Sequence, residues 1–91
     1  MKKKELRIMI KITFKTIQET IQDKAKEKGY KVLIIENYPH KDDDFLRVVI
    51  AQNESEYVCW IYNINDNAFY SGYYVDSFEK ADWKLKERIS K

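Results

Sequence analysis

Between Tyr57 and Val75 the chain reads YVCWIYNINDNAFYSGYYV, a stretch that holds seven of its thirteen Trp, Tyr and Phe residues. Aromatic and β-branched residues suit a pleated, half-buried surface, and Asn65, Asp66 and Asn67 are turn formers, so the stretch reads as a β-hairpin. A two-residue turn at its centre puts Val58, Trp60, Tyr62, Phe69, Tyr73 and Val75 on one face. Tyr57, Cys59, Ile61, Tyr70 and Tyr74 then fall on the other. Both faces are apolar, and a small sheet covered by helices on one side can bury only one of them. Whichever face stays open becomes a contact surface, so the candidates come from both: Trp60, Tyr62 and Tyr73 on one, Tyr70 and Tyr74 on the other.

The flanking chain supplies the helices and the remaining strands. Leu6, Ile8, Ile10, Ile12 and Phe14 alternate as in a strand, whereas Leu6, Ile10, Phe14, Ile17, Ile21 and Ala25 recur at helical spacing. The longer stripe favours one helix from about Lys3 to Lys28. The alternative is a strand ending near Thr13 and a helix capped by Thr16, three residues before Glu19. Gly29 suits a left-handed helix end on either reading. Tyr30–Glu36 is apolar on both faces and reads as a central strand; Phe45–Gln52 reads as the next. Asp76 or Ser77 caps a last helix, Glu79 completing a capping box from Asp76, with Phe78, Ala81, Leu85 and Ile89 inward and Trp83 off the stripe. The expected fold is a single α+β domain over residues 1–91: a four-stranded antiparallel meander with an N-terminal and a C-terminal helix packed on one face.

Composition narrows what such a domain can do. Cys59 has no second cysteine to pair with and lies in an apolar run, which suits a buried thiol in a reducing, cytoplasmic setting. No run reaches the length of a membrane span, so a soluble protein is expected. The net charge is +2, but residues 1–28 carry nine Lys/Arg against four Asp/Glu, residues 29–76 three against eight, and residues 77–91 five against three. The expected helices are basic and the expected sheet acidic, a local field that selects partners more than the sum does.

No constellation points to chemistry. Asp42, Asp43 and Asp44 lack the alternating spacing and glycine of a hard-cation loop, so no metal is expected; as an acidic rim they are partner-binding candidates. His40 and Cys59 lie on separate segments with no orienting third group, and Gly29 and Gly72 stand apart rather than in a phosphate-cradling loop. Neither an enzyme nor a cofactor is expected.

Two resemblances bear on function. The order helix, strands, helix, with Pro39 and His40 in the first strand–strand loop and Phe45 opening a VVI strand, resembles the double-stranded-RNA-binding domain over about residues 16–50. It implies a grip on RNA through the first helix, that loop and the start of the last helix, hence through Lys15, His40, Lys80 and Lys84. Tyr38 replaces the glycine usual before the proline, Asp42–Asp44 oppose phosphate, and a fourth strand is extra. A short domain rich in Lys, Ile, Asn and Tyr also resembles, in style rather than motif, small accessory proteins of phages and mobile elements such as anti-CRISPR inhibitors. The leading expectation is therefore a non-catalytic protein-interaction module that docks on a larger nucleic-acid-processing protein. Nucleic-acid binding is the alternative, and a homodimer is a third arrangement.

Overall fold

A computed structural model of the chain describes residues 16–39 and 44–90. Among them the order is helix α1 (Ile17–Glu27), strands β1 (Lys31–Asn37), β2 (Leu46–Gln52), β3 (Tyr57–Asn63) and β4 (Ala68–Val75), then helix α2 (Phe78–Ile89). The four strands form one antiparallel sheet in the order β1-β2-β3-β4, the expected meander. The α+β class and the α-β-β-β-β-α order stand as read from the sequence.

Each helix starts where a side chain can satisfy its free amides. The Thr16 hydroxyl accepts from the Glu19 N–H at 3.0 Å, and Glu19 reaches back to the Thr16 N–H at 3.4 Å. This start at Ile17 matches the shorter of the two helix readings; residues 6–14, on which the readings differ, lie outside the described residues. Gly29, at φ +83°, carries the chain out of α1 in the left-handed region that glycine enters without steric cost. Ser77, rather than Asp76, caps α2 by accepting from the Lys80 N–H at 3.3 Å.

The helices do not share a face. Ile21 and Ala25 of α1 are buried against Val49, Ala51, Val58, Trp60 and Tyr62, whereas Ala81 and Leu85 of α2 are buried against Val48, Ile50 and Cys59. Neighbouring residues of β2 and β3 therefore go to opposite cores, so the expectation of two helices on one face is corrected to one on each. The reason is visible in β2, where Val48–Ala51 are all buried: a strand apolar on both sides needs cover on both.

Two β-bulges set the rest of the pattern. In β1 the register slips between Val32 and Ile34, so Val32 and Ile35 share the α1 core while Ile34 joins the α2 core. The apolar run that suggested a central strand thus belongs to an edge strand whose alternation is broken at Leu33. In β4 the slip falls where Ser71 and Gly72 together oppose Trp60, between the Cys59–Tyr73 and Ile61–Tyr70 pairs. Ser71 adopts φ +55°, as an extra residue in a bulge can. The hairpin turn itself takes four residues, Ile64 to Asn67, between Asn63 and its partner Ala68, rather than two. Asn63 Oδ1 holds the turn by accepting from the Asn65 and Asp66 amides at 2.9 and 3.2 Å.

Candidate functional site

The β4 bulge decides which rings reach the surface. One added residue reverses the facing of everything beyond it, so Tyr73 and Val75 leave the side of Phe69 and join the α2 core, while Tyr74 crosses to the side of Trp60. The bulge is braced from α2. Arg88 donates through Nη1 to the Cys59 carbonyl at 2.8 Å and through Nη2 to the Ser71 carbonyl at 2.5 Å, tying both strands to α2 at the slip. Gly72 leaves room for the Tyr74 ring: a Cβ there would stand 2.6 Å from Tyr74 Cε1.

Of the predicted contact residues, Trp60 and Tyr62 prove to be core, 3 % and 1 % exposed. Phe69 stacks on Trp60 at a centroid distance of 4.1 Å and Tyr30 meets its edge at 5.0 Å. The Tyr62 hydroxyl donates to Asn67 Oδ1 at 2.6 Å, so the ring is also tied into the turn. Tyr73 is half-buried, with Lys84 Nζ 5.1 Å from its ring centroid. Tyr70 and Tyr74 are open to solvent at 48 % and 54 %.

Those two rings flank an edge strand from either side, Tyr70 toward the α2 side and Tyr74 toward the α1 side. Both are held. Tyr74 Oη accepts from Trp60 Nε1 at 3.2 Å, and Tyr70 Oη donates to Asp66 Oδ2 at 3.0 Å, which raises the Tyr70 phenol above its usual pKa. The strand between them, AFYSGYYV, has no charged residue, and Asp66 and Asp76 stand just before and just after it. Lys80 pairs with Asp76 at 2.9 Å and lowers its pKa. The result is an uncharged, ring-flanked rim with a carboxylate at each end.

The acidic loop is described only in part. Asp44 is exposed, and its carbonyl accepts from Arg47; Asp42 and Asp43 lie outside the described residues, as do His40 and Lys15. Lys80 and Lys84 are both in ion pairs, Lys84 with Glu87 at 2.7 Å. α1 and α2 lie on opposite faces of the sheet, which separates the two helices that the RNA-binding resemblance would bring to one duplex.

Cys59 is fully buried, and burial pushes its thiol pKa up against the opposing pull of Arg88, the reverse of what a nucleophile needs. Among the described residues no three His, Cys, Asp or Glu side chains converge on a metal-sized site. No described helix is long and apolar enough to cross a membrane. Tyr74 is exposed, as expected of a contact residue, but on the Trp60 side of the sheet, because alternation counted through Gly72 assigns it the wrong face. An isolated glycine within a strand is itself a bulge signal.

No family model, curated protein or solved structure matches the chain.

Proposed function

We propose that this chain is a non-catalytic protein-interaction module that docks through the β4 rim. The observation that carries the reading is that Tyr70 and Tyr74, both about half exposed, sit on the same uncharged edge strand. Tyrosine supplies large contact area at small entropic cost, and here each hydroxyl is already fixed by a hydrogen bond. Among the described residues the other large exposed apolar side chains, Ile17, Leu33 and Trp83, lie one each on α1, β1 and α2. They do not gather around a second strand.

The partner that fits this rim is a larger protein with a basic surface, since Asp66 and Asp76 bracket the strand and Asp44 is exposed at the Asp66 end of the sheet. A nucleic-acid-processing protein whose nucleic-acid groove is basic has that chemistry, and occupying the groove would inhibit it. The test is capture from a host lysate by the immobilised chain. Tyr74→Ser and Asp66→Lys should each weaken recovery of a nucleic-acid-processing protein by about tenfold or more, while Trp83→Ser leaves it unchanged. Recovery that tracks Trp83 and ignores both β4-side changes would overturn the reading.

A further inference from the structure

At the far end of the sheet from the β3–β4 turn lies a second feature, which shares Asp76 with the end of the β4 rim but none of its exposed rings. Lys31, Gln52, Tyr57 and Val75 are in register across the four strands there, and the chain closes around an open cleft of about 830 Å³. Lys26, Tyr30 and Lys31 line it on the α1 side, and Glu54, Glu56 and Asp76 on the other. A smaller recess of about 400 Å³ adjoins it at Lys26, Tyr30 and Lys31.

The charges around this cleft behave differently from those of α2. On α2, Lys80, Lys84 and Lys86 each pair with a carboxylate three or four residues away. At the cleft, the ammonium groups of Lys26 and Lys31 and the carboxylate of Glu54 form no ion pair among the described residues. Among the described residues, Lys26, Lys31 and Glu54 therefore line the opening unpaired, while Glu56 accepts from Tyr30 and Asp76 pairs with Lys80.

Both walls are fixed before any ligand arrives. Asn53 Oδ1 accepts from the Ser55 and Glu56 amides at 2.8 Å each, and the Asn53 N–H donates to the Glu56 carbonyl at 3.0 Å, which locks the turn carrying Glu54 and Glu56. The Tyr30 hydroxyl donates to Glu56 Oε2, and burial together with that bond pushes its pKa up to about 12. On the opposite wall the left-handed Gly29 fixes the approach of Lys31 to the end of α1.

We infer that this cleft binds a short zwitterionic peptide, its carboxylate between Lys26 and Lys31 and its ammonium against Glu54 and Glu56. The backbone width of the cleft bounds the length. Lys31 is one strand from Gln52 and two from Tyr57, about 10 Å at interstrand spacings of about 4.8 Å. An extended chain of about three residues covers that span, whereas a free α-amino acid does not. The open, wet walls set a millimolar affinity, since exposed ion pairs contribute little each.

The probe is unblocked triglycine, followed through the backbone amide NMR signals of the full chain. Saturable shifts are expected at Lys31, Glu54 and Glu56, weakened by added salt. Triglycine acetylated at one end and amidated at the other should bind about tenfold more weakly, as should free glycine. Lys31→Gln and Glu54→Gln lie at exposed positions that the fold does not use, so each should weaken binding severalfold with an unchanged spectrum elsewhere, and Tyr74→Ser should leave binding intact. A protein C-terminus as the true source would show acetylated triglycine, which keeps only the carboxylate, binding as well as the unblocked peptide; that outcome overturns the zwitterion assignment. So would equal binding of the fully blocked peptide, or an absence of shifts at tens of millimolar.

Discussion

The two faces of the sheet are sealed by different means. Beneath α2 the fully enclosed residues are small, Val48, Ile50 and Cys59 against Ala81 and Leu85, with the rings of Tyr38, Tyr57, Tyr73 and Phe78 only partly buried around them, and the helix adds Arg88 as a polar brace into the sheet. Beneath α1 only Ile21 and Ala25 of an eleven-residue helix are buried, yet they share that core with Trp60 and Tyr62. β4 and the α1–β1 link cover Trp60: Phe69 stacks on it, Tyr30 packs against it in a T-shaped contact, and Tyr74 caps its N–H. A helix with few apolar residues can close a large face when the sheet brings its own lids. It follows that the α1 face depends on its aromatic set and the α2 face on the helix and its arginine.

The sharpest way to break this contrast is Trp60→Ala. It removes the residue on which Phe69, Tyr30 and Tyr74 converge and should cost about 3–5 kcal/mol in urea unfolding, enough to leave a small domain largely unfolded. Loss of partner capture in that variant would therefore report folding, which is why Tyr74 rather than Trp60 tests docking. Arg88→Met probes the other face. It leaves the carbonyl of fully buried Cys59 without its Arg88 donor and should cost about 1–3 kcal/mol, with faster hydrogen exchange around the bulge and little change at α1.

Smaller effects sharpen the same comparison. Thr16→Ala removes the capping box of α1 and should lower stability by about 1 kcal/mol, a loss confined to helix α1 by local exchange. Gly72→Ala puts a methyl against the outer end of the exposed Tyr74 ring, which can swing aside. The expected cost is below about 1 kcal/mol, while tryptophan fluorescence changes as Trp60 Nε1 loses its acceptor.

The weakest probe is alkaline pH. Tyr30 titrates at about 12 in the fold against 10.0 when unperturbed, so between these values the native state holds a proton that the unfolded chain has released. Stability from this group is complete below pH 10 and declines as pH rises toward 12. Tyr30→Phe should remove that part of the alkaline decline, measured by urea unfolding across the range.

Much of the fold was legible in the residues. The Thr16–Glu19 box, the Gly29 exit, the Asn-rich turn and the apolar stripe of α2 are local signals, set by side chains that act within a few positions of themselves. They sufficed for the element order and the meander. The candidate rim was half legible: Tyr70 and Tyr74 were among the residues named, along with Trp60 and Tyr62, which the core claims. Period-two counting fails after a bulge, because one extra residue turns every later side chain over.

By itself, then, the sequence determined the order of helices and strands among the described residues, and that the hairpin carries more rings than one face needs. Tertiary structure decided which core each ring enters. Facing depends on pairing with strands that lie distant in the chain, on the slips at Leu33 and at Ser71–Gly72, and on an arginine of α2 that reaches back to hold the second slip in place. It also decided that each helix takes its own side, because β2 and β3 are apolar on both and leaving either uncovered would expose the core of the sheet to water.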